Sequence, residues 1–392
     1  MDDQKTPALA TQLLHAGEGA VPSAAPLTTP IYETTTFVFA SAAEVRQYHE
    51  GGGTSFLYSR YANPTVESVE RKLAVADAAE GALVFASGMA AISAVLLAHL
   101  SAGDEVLCSA ASYGGTFHLL EGFLPRLGIT TRFVGLDDLQ RLSATAGAST
   151  RLVWFESPVN PHLRCVDVAA VAAQCRALGL LSVIDNTFAS PVNQQPLALG
   201  VDLSVQSATK YLNGHSDITA GVVSGSAERL RVVADARRQL GGVLDPQAAY
   251  ALGRGLKTLP LRVARQNATA QAVAEALEGD PRVARVLYPG LASHPDHDIA
   301  RRQMRGFGGM VCLDLVGGEP AAERAFDRLR LVRRAASLGG VESLCSLPIL
   351  SSQWGHTDAQ LAAAGITRGM LRLSLGLEDA ADLIADLRQA LD

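Results

Sequence analysis

Short apolar runs recur through the middle of the chain, at 82–86, 105–109, 131–134, 151–155, 181–185, 202–206 and 220–224. Stretches with helix-like spacing separate several of them, at 64–78, 88–100, 115–127 and 167–178. Asn63-Pro64-Thr65 and Asp167 are plausible helix starts. Strands that alternate with helices predict a mostly parallel sheet covered on both faces. In such sheets ligands bind beyond the carboxyl ends of the strands, so the residues just after each run carry the interest.

The two ends read differently. Residues 1–60 are rich in Pro, Gly, Thr and Ala and weakly periodic, with Pro22, Pro26, Pro30 and the run Gly51-Gly52-Gly53. An arm of that length without its own core is expected to lie extended on something else, often another subunit. Gly253 to about Glu278 reads as helical, with Pro260 expected to kink or break it and Gly279 to stop it. Runs at 283–288, 310–316 and 370–375 then alternate with helical segments near 320–330 and 378–391. The expected units are an arm (1–60), a large domain (61–256) and a smaller C-terminal α/β domain (257–392).

Composition narrows the function. The 392 residues are 48% hydrophobic and 18% charged, against a usual charged share of ~25%, so a large core is expected. A net charge of −6 with no basic cluster argues against a nucleic-acid partner, because such binding needs Lys and Arg on phosphates. Gly81 to Gly103 lacks Asp, Glu, Lys and Arg, yet it reads as a strand (82–86), a Ser-Gly turn and a helix (Met89–Leu100), not as a membrane span. The opening Met-Asp-Asp-Gln-Lys has no secretory pattern. Cys108, Cys165, Cys175, Cys312 and Cys345 are odd in number and widely spaced, which disfavours a disulfide framework or a zinc ribbon and fits a reducing cytoplasm. His294 and His297 have a metal-like spacing but no third ligand nearby, so a surface loop and no metal are expected.

Of the 33 basic residues only four are lysines: Lys5, Lys72, Lys210 and Lys257. Arginine stays protonated, whereas lysine can lose its proton and form a Schiff base. None of the four follows a glycine, which excludes a P-loop. Lys210 stands in Ser207-Ala208-Thr209-Lys210-Tyr211, at the carboxyl end of a buried-looking run. Lys5 is in the tail, Lys72 is expected on a charged helix face with Glu67, Glu70 and Arg71, and Lys257 follows glycines on a helix.

Asp185 ends an apolar run and could be a metal ligand, a helix cap or the partner of a buried cation. An acid there would suit a lysine–aldehyde cofactor, holding a proton on its pyridinium nitrogen. Ser87-Gly88-Met89, between strand and helix, can form an anion site that Ser207 and Thr209 would complete as a phosphate cradle. Tyr113 in Tyr113-Gly114-Gly115-Thr116 could stack on a flat ring and exchange a proton. Arg372, between apolar neighbours, is either on a polar strand face or a bidentate carboxylate clamp. A hydride-transferring dehydrogenase would want GxGxxG after the first strand, and no such run exists.

Taken together the chain resembles the Cys/Met-metabolism family of pyridoxal-phosphate enzymes, the cystathionine γ-lyase and γ-synthase group. The resemblance runs through Pro30-Ile31-Tyr32-Glu33-Thr34-Thr35-Thr36-Phe37, Tyr58-Ser59-Arg60, Asn63-Pro64-Thr65, Ser87-Gly88-Met89-Ala90-Ala91 and Tyr113-Gly114-Gly115-Thr116. It continues through Glu156-Ser157-Pro158-Val159-Asn160-Pro161, Asp185-Asn186-Thr187-Phe188, Ser207-Ala208-Thr209-Lys210-Tyr211, Ser337-Leu338-Gly339-Gly340 and Arg372-Leu373-Ser374-Leu375-Gly376-Leu377-Glu378-Asp379. It implies an aminotransferase-like α/β fold (fold type I), with a mostly parallel seven-stranded sheet, a smaller C-terminal domain and an N-terminal arm. It also implies pyridoxal phosphate held by Lys210 as an internal aldimine, with Asp185 on the pyridine nitrogen and Tyr113 stacked on the ring. Gly88, Met89, Ser207 and Thr209 would bind the phosphate. Tyr58 and Arg60 would reach the neighbouring subunit's phosphate, which makes a dimer the minimum unit and a tetramer the usual assembly. Asn160, Ser337, Arg372 and Tyr58 would meet the amino-acid substrate, with Arg372 on its carboxylate.

The implied reaction is γ-elimination on sulfur amino acids, with cystathionine giving cysteine, 2-oxobutanoate and ammonia. Methionine γ-elimination, γ-replacement on an activated homoserine and an inactive cofactor-binding relative are the alternatives. Two departures bear on this choice. Many cystathionine-handling members carry a glutamate where this chain has Ala336, with Glu342 a candidate substitute. Methionine γ-lyases typically carry a cysteine where this chain has Gly115.

Overall fold

The computed structural model describes residues 7–18 and 26–392; Lys5, Pro22 and the opening pentapeptide lie outside them. Each of the seven central apolar runs forms a strand: β1 (Gly81–Phe85), β2 (Glu105–Ser109), β3 (Thr130–Val134), β4 (Thr150–Glu156), β5 (Leu181–Asp185), β6 (Leu203–Gln206) and β7 (Gly221–Gly225). They make one sheet in the order β1-β7-β6-β5-β4-β2-β3. β7 is antiparallel to both β1 and β6, and every other pairing is parallel. Successive side chains on a strand point to opposite faces. Accordingly Val106, Leu152, Trp154 and Val183 join one apolar cluster with the helix Gly88–His99. Leu107, Val153, Phe155 and Ile184 join another with the helix Val168–Leu178. Burial on both faces is why these strands read as continuous apolar runs rather than as alternation.

A second sheet lies further along the chain. It comprises β8 (Val283–Leu287), β9 (Met310–Leu315), β10 (Arg333–Arg334), β11 (Leu344–Ser346) and β12 (Met370–Ser374), in the order β10-β11-β12-β9-β8. Only β10 and β11 pair in parallel. The helices Leu259–Leu277, Gly318–Arg328 and Ala380–Leu391 pack their apolar sides against it. β10 and β11 are too short to show a period in the sequence.

The predicted helix starts are present. Asn63 accepts from Thr65 N–H with Pro64 in the first turn, and Asp167 accepts from Ala170 N–H. Other details differ. The stretch 115–127 is a short α-helix (Gly114–His118), a π turn (Leu119–Phe123) and a 3₁₀ turn (Leu124–Leu127); Pro125, which has no N–H to donate, lies in the last. Pro260 does not kink a helix. The helix Pro246–Leu256 ends first, and Pro260 sits in the opening turn of Leu259–Leu277, where its missing N–H costs no bond. Gly279 follows that helix with a φ of +82°, as a stop should.

The arm is not extended throughout. It contains the helices Leu9–His15 and Ala42–His49, and Leu13 is fully buried. This corrects the place of Lys72 as well. Its Nζ donates to the carbonyls of Leu13 (2.8 Å) and Ala16 (2.6 Å) and is 3.7 Å from Glu18, so the arm covers the face expected to be solvated. Glu18 also holds Lys257 at 2.9 Å. The His294 segment is likewise not a surface loop: His294 is buried, and its neighbour Asp296 pairs with Arg164. Burial pushes the His294 imidazole down to about 4. Among the described residues no cluster of three or more His, Cys, Asp or Glu could hold a metal, and no helix is long and apolar enough to cross a membrane. All five cysteines are free and buried.

Candidate active site

Most of the candidate residues gather at the carboxyl ends of the central strands and beside β12, the middle strand of the second sheet. Asp185 is the last residue of β5. Its Oδ1 accepts from Thr187 N–H at 3.0 Å, and Thr187 Oγ1 accepts from Ser207 N–H at 2.8 Å, joining the ends of β5 and β6. Burial raises the Asp185 pKa; the Thr187 bonds and the nearby Lys210 oppose that rise. A buried acid beside a cation is placed to hold a proton on a basic ring atom.

Ser207 lies against the N-terminus of the helix Gly88–His99. A Cβ on Gly88 would come 3.1 Å from Ser207 Cβ and 3.3 Å from its Oγ, so only glycine leaves this cradle open. The exposed N–H groups and positive end of a helix attract an anion. Thr209 is engaged locally: its hydroxyl accepts from Ala220 N–H at 2.9 Å and donates to Ala220 carbonyl at 3.2 Å.

Lys210 Nζ donates to Ser337 Oγ at 3.3 Å. Burial lowers its pKa, Arg372 lowers it further and Asp185 opposes both. Arg372, in the middle of β12 between Cys312 on β9 and Ser346 on β11, is 6% exposed. Its Nη1 donates to Asn160 Oδ1 at 2.9 Å. Burial lowers its pKa, and the ionisable groups that offset this are Cys312, Cys345, Tyr211 and Tyr113, with no carboxylate among them. A buried guanidinium with a neutral amide partner is costly until an anion arrives. Arg372 is therefore not on a solvated strand face.

Tyr113 is 44% exposed, opening the helix Gly114–His118. Its ring passes over Gly115: a Cβ there would meet Tyr113 Cε1 at 2.5 Å and Met89 Sδ at 3.0 Å. Tyr113 N–H donates to Glu156 Oε1 at 2.6 Å. Glu156 itself was not singled out in the sequence, although it ends an apolar run just as Asp185 does. It is 4% exposed, in register with Asp185 on the adjacent strand. Tyr58 and Arg60 are not in this cluster. They line a separate cavity of about 450 Å³ with Thr34, Asn63, Val243 and Asp245, and Arg60 Nη1 donates to the carbonyl of Arg238 at 2.7 Å.

A buried lysine, a buried acid near it, a glycine at a helix N-terminus, a tyrosine ring and a buried guanidinium without a carboxylate partner together suit an aldehyde cofactor acting on an amino acid. Residues 10–392 match the family described as Cys/Met metabolism PLP-dependent enzyme. The chain belongs to that family. It is 43% identical over 390 residues to L-methionine gamma-lyase of Pseudomonas putida, covering 99% of this chain and 98% of the relative. It is 42% identical over 384 residues to cystathionine gamma-synthase 1, chloroplastic, of Arabidopsis thaliana, covering 97% of this chain and 68% of the relative. The solved structure of cystathionine gamma-lyase from Lactobacillus plantarum complexed with L-serine superposes with a TM-score of 0.92, at 36% identity and 98% coverage of both chains.

The fold is thus the fold type I architecture of pyridoxal-phosphate enzymes, and the protein is a pyridoxal-phosphate-dependent carbon–sulfur lyase or synthase of sulfur amino-acid metabolism. The residues present fit that cofactor: glycine at 88 keeps the space beside Ser207 open at a helix N-terminus, and Lys210 is a buried amine near the buried acid Asp185.

Proposed function

We propose that this enzyme carries out γ-elimination, with cystathionine as its first substrate. The observation that carries an amino-acid substrate is Arg372, buried and without a carboxylate, beside Lys210, Ser337 and Asn160. In this reading Arg372 clamps the substrate carboxylate, assisted by Asn160 and Ser337, with Tyr58 reaching the substrate from a partner. Gly88, Met89, Ser207 and Thr209 hold the cofactor phosphate, Asp185 holds a proton on the pyridine nitrogen, and Tyr113 covers the ring. Pyridoxal phosphate held there would supply an aldehyde for the substrate amine and a sink for charge at Cα. Lys210 removes the Cα proton and, once it has given that proton up and is neutral again, takes one from Cβ. Tyr113 gives its phenolic proton to the sulfur as the Cγ–S bond breaks. The same reading divides the chain at 60 and 256, supported by the break between Leu256 and Leu259.

Selectivity rests on Ala336 and Gly115. Ala336, beside Ser337, is exposed and brings no carboxylate for a distal ammonium, and the exposed Glu342 is the candidate substitute. A cysteine at 115 would displace the Tyr113 ring, so the pocket is not built around one. The test is product analysis with L-cystathionine alone. Cysteine, 2-oxobutanoate and ammonia are expected; no turnover would move the assignment to methionine elimination or to γ-replacement. Ala336→Glu is expected to raise the kcat/KM ratio of cystathionine to methionine about fivefold, the worth of one solvent-screened ion pair of ~1 kcal/mol. An unaltered ratio would show that position 336 does not select.

Tyr58 and Arg60 we assign to the phosphate of a neighbouring subunit, so that a dimer is the minimum unit. Their place in a cavity apart from Lys210 supports this, as does the exposure of Leu27 and Val38 on the arm. Arg60→Ala should weaken cofactor affinity roughly 10- to 100-fold, the loss of one charge-assisted bond of ~1.5–3 kcal/mol. Normal affinity in a protein that sedimentation shows to be dimeric would defeat the shared site.

A further inference from the structure

Glu156 is the buried acid that the proposed mechanism does not use. Four features of its surroundings are on view. It is the last residue of β4 and stands in register with Asp185, the last residue of β5, so two carboxyls share one edge of a parallel sheet. Adjacent strands are only about 4.8 Å apart, and where two carboxyls share a buried site one of them has its pKa strongly raised. No Lys, Arg or His of the described residues pairs with Glu156, whereas Asp185 has Lys210 nearby. Its one hydrogen bond comes from a backbone N–H group, that of Tyr113 at 2.6 Å. The groups facing it are Asp185 from β5, the Cys108 thiol from β2, and the Tyr113 and Asn160 loops.

We infer that Glu156 is a neutral, protonated positioning residue: one carboxyl that ties the Tyr113 loop to the end of β4, from which the Asn160 loop departs, and leaves Asp185 the sole anion at these strand ends. The inference rests on the reading that Asp185 serves the pyridine nitrogen, and deepens it. A neutral Glu156 adds no second negative charge to raise the Asp185 pKa further. The end of β4 that carries Glu156 serves both sides of the site. Tyr113 covers the ring face, and Asn160 accepts from Arg372, the carboxylate clamp. Burial and the neighbouring Asp185 push the Glu156 pKa well above the usual carboxylate range and outweigh the Tyr113 N–H bond, which lowers it, in keeping with this charge state.

The test compares Glu156→Gln, Glu156→Ala and Asp185→Asn in the full-length protein, reading cofactor affinity by titration of apoprotein and the pH midpoint of the bound cofactor's visible band. An amide mimics a protonated carboxyl, so Glu156→Gln should leave affinity within about twofold and the midpoint unmoved. Glu156→Ala should weaken affinity at least about fivefold, because the Tyr113 N–H loses its acceptor. Infrared spectra at pH 7 should show a protonated-carboxyl band that is missing from Glu156→Gln. A midpoint moved by about one unit or more in Glu156→Gln would mean that a charge had been removed, and would overturn the inference. Wild-type affinity in Glu156→Ala would overturn the positioning role. Should Glu156→Ala not fold, the Gln variant and the infrared band still decide. An unaltered Asp185→Asn would bring down the ring-nitrogen reading and this inference with it, and is recognisable because it appears in that variant alone.

Discussion

Lys210→Ala abolishes the visible band that pyridoxal phosphate acquires on binding and leaves turnover below about 10⁻³ of the wild-type rate. Removing a positioned base alone costs roughly 10²- to 10⁴-fold, and here the same amine also anchors the cofactor in the proposed reading. The variant should still fold, because Lys210 contributes one 3.3 Å bond to Ser337 and otherwise brings a buried cation next to Arg372. The pH dependence of apoprotein stability separates this charge from the packing. Burial, then Arg372, depress the Lys210 pKa below 10.5 in the folded state. A depressed lysine pKa means that the unfolded chain binds the proton more tightly, so the cost is full below the folded value and vanishes above the unfolded one. Wild-type apoprotein therefore gains stability relative to Lys210→Ala as pH rises toward 10.5. An unchanged visible spectrum in the variant would refute the assignment of the amine.

The large sheet was legible in the sequence because its strands are buried on both faces. Val153 and Trp154 are both fully buried although they point to opposite sides, and that is what makes a short apolar run. Burial on both faces also picked out Asp185 and Ser207, as polar residues where a run stops. It could have picked out Glu156 by the same rule. The arm was less legible. Leu9–His15 is seven residues long and buries only Leu13, too little for a periodic signal. Lys72 was misplaced for a related reason: its helix carries Glu67, Glu70 and Arg71 on view, and only the packed arm shows that the lysine amine meets carbonyls instead of water. Arg372 stood between two readings on sequence alone because strand neighbours do not reveal whether a polar face is solvated. The burial of β12 beside β9 and β11 answers that.

The same burial makes Arg372 the second large effect. Arg372→Met should lower kcat/KM for every α-amino-acid substrate by about 10²- to 10³-fold, equivalent to ~3–4 kcal/mol of lost charge-assisted binding to the α-carboxylate. The loss should be indifferent to the side chain of the substrate, because the carboxylate is common to cystathionine, methionine and homocysteine. Arg372→Lys should recover only part of it: an ammonium is a point charge and cannot grip a carboxylate with two parallel bonds while still reaching Asn160. Cofactor affinity should hardly change in either variant, since Arg372 meets Asn160 and the substrate space rather than the Gly88–Ser207 cradle. The apoprotein carrying Arg372→Met should also be at least as stable as wild type to urea, because exchanging a buried, uncompensated cation for an apolar side chain of similar length is often neutral or stabilising. Steady-state kinetics on cystathionine and methionine, together with urea midpoints, distinguish the outcomes. A loss confined to one substrate would mean that Arg372 reads the distal group, and a large fall in stability with unaltered kinetics would make it a structural residue of β12.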